Sequence, residues 1–358
     1  MKNTLKLIGF IALTAFIGFT LAACKHSSDP ETNVFWSIDE VSAFLSTAAG
    51  GSTTATAIPL TVNVNLNNMT DAGSGWRQLL NALGAANKLV KLDLSGSGFY
   101  GTVFDPDSSV STGKDLIVSL VLPNNAKSIP GDIYPNNAFA SFINLASCSG
   151  ANITSIGADA FFICDALESV SFPAVKSIGE RAFYYCIALE SVGFPAAESI
   201  GLGAFSYCIA LENISFPAAE SIGEYAFYCC DALESVSFPA AESIGLGAFG
   251  YCSALESVSF PAVKSIGEYA FSATGGTTLT ITMGSAAPTV DSNIFDLVND
   301  PKMVTVLVPT GATGYGTSPT DTTTENWGNA FRGMGWDGSS YLGVTVNSFI
   351  NLSIVNPL

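Results

Sequence analysis

The side chains that could do chemistry in this chain are few, and their spacing says more than their number. There is a single histidine, His26. It lies in a stretch expected to be a tether, away from any folded site, which argues against a Ser-His-Asp or Cys-His nucleophilic group and against a histidine-based metal site. Cysteine is better represented: Cys164, Cys186, Cys208, Cys230 and Cys252 recur at one fixed interval, a period of 22. That interval is not a zinc spacing. If successive units stack, the thiols approach within disulfide range, although their Cβ vectors then run parallel. Apart from Cys24, the cysteines are 148, 164, 186, 208, 229, 230 and 252, an odd set of seven. A disulfide framework uses an even number, so buried free thiols are expected, with disulfides or a metal as the alternatives. Cys229 takes the place that Tyr185, Tyr207 and Tyr251 hold in other units. It is expected to face outward as a reactive thiol.

Carboxylates recur on the same interval. Glu168, Glu190, Glu212, Glu234 and Glu256 form one column, and Glu198, Glu220 and Glu242 a second. Beside the first lie Ser169, Ser191, Asn213, Ser235 and Ser257, then Ser171, Gly193, Ser215, Ser237 and Ser259. Carboxylates one unit apart repel by roughly 1 kcal/mol in a water-like dielectric. One reading is a solvated face that keeps the chain soluble; the other is an acidic ridge for a basic partner, divalent cations or a glycan. The first glutamate column, Glu168 to Glu256, with Ser169, Ser191, Asn213, Ser235 and Ser257 and with Ser171, Ser215, Ser237 and Ser259, forms the candidate binding face. It is a shallow polar strip without pocket chemistry.

The elements that position these residues follow from the repeat. Phe161, Phe183, Phe205, Phe227, Phe249 and Phe271 share that period, as do Ile156, Ile178, Ile200, Ile222, Ile244 and Ile266, each followed by glycine. Leu167, Leu189, Leu211, Leu233 and Leu255 keep the same frame, and so do Pro173, Pro195, Pro217, Pro239 and Pro261. In one unit, Val192 and Phe194 fall on one side of a short strand, Ser191 and Gly193 on the other. Pro195 ends the strand. Ala182, Phe183 and Cys186 have the spacing of one helical turn. A unit this small cannot bury its own apolar side, so stacking must create the core. A period of this length with an L-x-x-V-x-F core predicts an α/β repeat solenoid of the leucine-rich-repeat type. It is expected to be a right-handed coil with short parallel strands on the concave face and helical or irregular turns on the convex face. The residues after each Ser-Ile-Gly alternate in bulk, so Tyr225 is expected to lean over Gly203 and Gly247. The outer aromatics Tyr184, Tyr185, Tyr207, Tyr228 and Tyr251 shield the turns or form a contact strip.

The run S-I-G-x-x-A-F-x-x-C-x-x-L-E-S-V-x-F-P, at Ser177–Pro195 and again at Ser243–Pro261, resembles the BspA-like (treponemal) leucine-rich-repeat family. Trp76 to Ser95 is similar to the family's entry, and Val306-Leu307-Val308-Pro309, Gly311, Tyr315 and Trp327 to Phe331 to its ending. The resemblance implies a surface or secreted protein, several members being adhesins for host matrix proteins or other bacteria. It implies no catalytic residues and no cofactor. The family's common unit is one residue longer.

The amino end reads separately. Lys2 and Lys6 precede an apolar stretch from Leu7 to Leu21, which is a secretory leader and too short to span a bilayer. It closes on Leu21-Ala22-Ala23-Cys24, which looks like a lipobox, so Cys24 is expected to carry lipid and hold the chain to the outer membrane at the cell surface. The expected divisions are a leader over 1–23, a flexible tether over 24–61, an N-terminal cap over 62–88, the solenoid over 89–309 (clearest over 138–271) and a C-terminal cap over 310–358. The net charge is −17, and −19 once the two leader lysines are removed (−17 − 2). Such acidity argues against nucleic acid as a partner. Host matrix or bacterial surface proteins are the expected partners. A periplasm-facing scaffold and a cation- or glycan-binding module are the alternatives, and an enzyme is not expected.

Overall fold

A computed structural model describes residues 33–106, 109–132, 136–274, 278–291 and 294, with strands at 303–307, 340–341 and 344–345. The leader, Cys24, His26 and most of the C-terminal cap lie outside the described residues.

The chain winds as a three-walled coil. One wall is a parallel sheet of Val34–Phe35, Ile58–Val62, Val90–Asp93, Ile117–Val121, Ser147–Ser149, Ser169–Ser171, Ser191–Gly193 and Asn213–Ser215. It resumes, again parallel, as Ser235–Ser237, Ser257–Phe260, Thr278–Met283 and Met303–Leu307. The second wall is built from two-residue strands, from Ser128–Ile129 through the Ser-Ile pairs to Thr289–Val290, each paired in register with the next. Identical positions therefore meet identical positions, as a fixed repeat length demands.

Glycine after Ser-Ile, from Gly157 to Gly267, is explained by coil-to-coil approach. A Cβ on Gly201 would stand 2.6 Å from the carbonyl carbon of Gly179, and one on Gly223 2.6 Å from that of Gly201. These contacts are with backbone, which cannot swing aside.

The third wall is built of turns, the irregular form of the expected convex face, and the single helical turn expected at Ala182, Phe183 and Cys186 does not form. Residues 181 to 186 alternate their N–H donors. Arg181, Phe183 and Tyr185 donate to Leu202, Ala204 and Ser206 of the next coil at 2.8, 2.8 and 2.9 Å. Ala182, Tyr184 and Cys186 donate three residues back within their own coil. The alternation needs left-handed backbone at every other inter-coil donor: Arg181 has φ 49° and Tyr185 φ 62°. A helix would spend all its donors inside the coil. Here half of them tie coils together, so the turn region becomes a third hydrogen-bonded wall. A left-handed bulky residue costs roughly 1 kcal/mol, which the inter-coil bond offsets.

Inside the walls lies one continuous apolar core. The Phe, Leu, Ile and Cys columns are all buried. From Phe139 to Phe271 the rings stack face to face, with centroids 4.2 Å apart at Phe139–Phe161 and 5.8 Å at Phe249–Phe271. A second stack runs from Phe172 to Phe260. Burying each such ring is worth about 2–3 kcal/mol by area, and no ring buries itself without the next coil.

Two further expectations are corrected. The stretch 24–61 is not a tether throughout, because its described part belongs to the coil. Val34–Phe35 and Ile58–Val62 are the first strands of the sheet. Between them, helix α1 (Ile38–Thr47) starts at a capping box of Ser37 and Glu40 and buries Val41 and Leu45. Helix α2 (Gly75–Ala86), capped by Ser74, buries Trp76, Leu79, Leu80 and Leu83. The solenoid thus starts before residue 89, with two helices covering its first coils. Second, Tyr225 leans one way only. A Cβ on Gly247 would meet its ring at 2.6 Å, whereas Gly203 faces the stem of Arg181.

One irregularity interrupts the first wall. Among the described residues, no strand pairing joins Asn213–Ser215 to Ser235–Ser237, and Ile214 is half-buried where Val192 and Val236 are buried. The other two walls pass this point unbroken, through Ser221–Ile222 on Ser243–Ile244 and through Tyr225 N–H to Leu246 at 2.8 Å.

Candidate recognition surfaces

The strand face predicted from sequence exists as a surface. Strand alternation turns Val170, Val192, Val236 and Val258 into the core. It leaves Ser169, Ser171, Ser191, Ser215, Ser235 and Ser237 exposed, with Asn213. Ser257 and Ser259 are half-buried. Glu168, Glu190, Glu212, Glu234 and Glu256 are exposed. Glu190 donates its N–H to the carbonyl of Glu168 at 3.1 Å, and Glu212 to that of Glu190 at 3.0 Å. The carboxylates are thus held one coil apart, and among the described residues no ion pair joins any of the five. The face is in two pieces. Residues 168 to 215 share one ladder and residues 234 to 259 another, divided at the unpaired strands.

The Ser-Ile wall carries a groove that the sequence reading did not assign as a site. It has a volume of about 540 Å³ and is lined by Glu198, Glu220, Glu242, Lys264, Ser199, Ser221, Ser243 and Ser265. The column reads Lys176, Glu198, Glu220, Glu242, Lys264. Lys176 pairs with Glu198 at 3.3 Å and Lys264 with Glu242 at 2.6 Å, leaving Glu220 between two occupied carboxylates. The signal was present in the sequence: the glutamates were visible as a column, and a lysine stands one period beyond each end.

The thiols have a structural task. Cys186, Cys208, Cys230 and Cys252 each donate Sγ–H to a phenylalanine carbonyl of the preceding coil, at 3.0 to 3.2 Å. All seven described cysteines are free. Burial pushes the thiols of Cys148, Cys164, Cys186, Cys208 and Cys230 well above their ordinary range. Cys229 departs from expectation. It is half-buried, and desolvation, aided by the charge of Asp231, raises its thiol to about 11. That suppresses the thiolate a reactive cysteine needs.

The outer turns carry a run of aromatic contacts. Tyr184 and Tyr185 each approach Tyr207 at 5.5 Å, Tyr207 approaches Tyr228 at 5.8 Å, and Tyr228 approaches Tyr251 at 5.2 Å. At one end Arg181 bonds the buried Asp159 at 2.9 Å and stands 5.8 Å above the Phe162 ring. Desolvation raises the Asp159 carboxyl above its ordinary range despite the guanidinium beside it. Among the described residues, no group of three or more His, Cys, Asp or Glu side chains is placed to hold a metal ion.

No curated protein matches this chain. Among solved structures it is similar to a leucine-rich-repeat protein of T. pallidum, TpLRR, with 26% identity over 43% of this chain and 78% of that one (TM-score 0.36). It is also similar to a leucine-rich cell surface protein of Faecalibacterium prausnitzii A2-165, at 19% identity over 54% and 82% (TM-score 0.25). A leucine-rich-repeat protein of Bacteroides ovatus ATCC 8483 matches at 21% identity over 65% and 82% (TM-score 0.31). The family model described as "BspA type Leucine rich repeat region" matches six copies, over residues 132–242 and 176–302. The stacked coils that carry both faces, residues 132–302, are thus the part of the chain that matches the BspA-type leucine-rich-repeat model.

Proposed function

We propose that this chain is a recognition protein displayed at the bacterial surface, held there by lipid on Cys24, and that it binds host matrix or other cell-surface proteins through the strand face. The observation that carries the reading is that face itself. Its Ser and Glu side chains stand outward and in register over successive coils, without cation partners among the described residues. Flat, regular, polar surfaces of this kind suit extended protein contacts, where geometry and polar pairing set the partner. The leader and Leu21-Ala22-Ala23-Cys24 support the lipid anchor.

The test is protease shaving of intact cells expressing the full chain, followed by binding of those cells to immobilised matrix proteins. The expected result is loss of the repeats while a periplasmic marker survives, with Cys24→Ala releasing the protein from the membrane fraction. Charge reversal at Glu190, Glu212 and Glu234 should then reduce matrix binding at least tenfold. Repeats protected until the outer membrane is opened would sink the surface reading in favour of a periplasmic scaffold.

A further inference from the structure

The outer turns hold bulky side chains where smaller ones would be easier to accommodate. Tyr185, Tyr207 and Tyr251 have φ of 62, 62 and 60°, left-handed backbone that favours glycine or asparagine. The neighbouring left-handed column does use glycine, at Gly203 and Gly247. The tyrosines at the ends of the run are also not packed away: Tyr185 is 43% exposed and Tyr251 45%, while Tyr207 and Tyr228 between them are half-buried. Strained backbone thus holds an aromatic run at the water boundary, carried past Cys229 by Tyr228.

Its surroundings indicate what it takes. Asp165, Glu180, Glu224 and Asp231 are exposed on the same turns, and the whole chain carries −17. The molecule also contains its own example of a cation seated there. The Arg181 guanidinium lies over Phe162, bonded to Asp159, and Phe162 stacks on Tyr184 at 5.1 Å as the first ring of the run. Ring beneath and carboxylate beside attract a cation by quadrupole and by charge together. From Tyr185 to Tyr251 is three coil steps, roughly 14 Å, the length of about four extended residues.

We propose that this tyrosine run docks an extended segment of a partner protein bearing arginine or lysine, its cations resting on the rings between the carboxylates. This surface is separate from the strand face and stands without it.

The test uses the full chain and a fluorescein-labelled octapeptide alternating arginine and leucine, with its glutamate counterpart and cellohexaose as comparators, at 0.15 M salt. Tyr185→Asn, Tyr207→Asn and Tyr251→Asn together remove the rings with a residue that accepts left-handed backbone. The expected result is binding of the arginine peptide alone, at least tenfold weaker in the triple variant, which unfolds at the same or higher urea concentration. Glu190→Gln with Glu212→Gln on the strand face should change this affinity by less than twofold, so a failure of strand-face recognition is read separately. The proposal is overturned by an arginine peptide that does not bind, by affinity retained within twofold in the triple variant, or by cellohexaose binding in its place. A triple variant that unfolds at lower urea would assign the rings to shielding the turns and overturn it equally.

Discussion

Substituting one glycine in the Ser-Ile-Gly column should disturb the stack more than its single methyl group implies. In Gly201→Ala the new Cβ lies 2.6 Å from the Gly179 carbonyl carbon and 2.8 Å from the Glu180 nitrogen. Ordinary contact begins near 3.4 Å, so the coils must part by 0.8 Å (3.4 − 2.6) at this point. Gly201 donates to the Ile178 carbonyl at 2.9 Å and Gly223 to that of Ile200 at 2.9 Å. Opening by that amount stretches the first bond to about 3.7 Å, beyond useful range. A lost backbone bond costs about 1 kcal/mol, and overpacking of an interior that cannot yield costs about 1–3 kcal/mol. Alanine returns about 0.4–1 kcal/mol by restricting the unfolded chain. The net loss should be about 2 kcal/mol, a roughly 30-fold fall in the folded-to-unfolded ratio.

The matching control is Gly193→Ala in the same unit. No atom lies within 4 Å of its added Cβ, and the position is exposed. It should be neutral or slightly stabilising. Urea unfolding followed by circular dichroism measures both, the midpoints being compared at unchanged slope. If Gly201→Ala unfolds within about 0.5 kcal/mol of the parent, close coil approach is not why glycine follows Ser-Ile from Ile156 to Ile266, and the reasoning is refuted.

Two further outcomes follow from the buried ionisable groups. The thiols of Cys148, Cys164, Cys186, Cys208 and Cys230 titrate higher when folded than their ordinary 9.0. Their contribution is therefore complete below pH 9 and declines as pH rises towards the folded values, by about 1.4 kcal/mol per thiol per pH unit; urea midpoints at pH 8 and pH 10 should show the fall, and Cys186→Ala with Cys208→Ala, which leave three of the five thiols, should lessen it by about two fifths. Arg181→Ala removes the guanidinium 2.9 Å from Asp159, whose side chain is 3% exposed. Leaving that carboxylate alone should cost about 2–3 kcal/mol at pH 7. The raised Asp159 carboxyl takes up its proton as pH falls, so the penalty should shrink towards pH 4; a penalty that is constant with pH would contradict it.

How much of this was legible depended on whether the signal was periodic. The Phe, Ile, Leu and Cys columns repeat with one period, and residues spaced by a full coil must share an environment. Core and outward faces could therefore be read directly, including Glu190 beside Ser191. What escaped lacks that period or is set by backbone. The first coil carries no copy of the repeat motif, though Ser37-x-x-Glu40 before Val41 and Leu45 marked its helix and Ile58, Leu60 and Val62 alternate as a strand. The left-handed turns escaped because Tyr185, Tyr207 and Cys229 are not residues that announce positive φ. Their conformation follows from the inter-coil bonds and not from their own propensity. The groove at Glu220 needed knowledge of which columns line one wall, and the gap after Ser215 has no mark in the sequence at all.

That gap gives the molecule a mechanical asymmetry. Elsewhere in the repeat coils, from Phe139 to Phe271, bending one coil against the next strains three walls together. Between Asn213–Ser215 and Ser235–Ser237 only two resist. The unpaired wall can open and close about the Ser-Ile wall as a leaf opens about its hinge, with the Phe216–Phe238 stack at 5.8 Å as the pad between. Within the described repeat coils a load on either end meets least backbone resistance at this joint, so the two pieces of the strand face tilt against each other as stiff plates. A target that is not flat meets a surface whose one compliant line already runs across its middle.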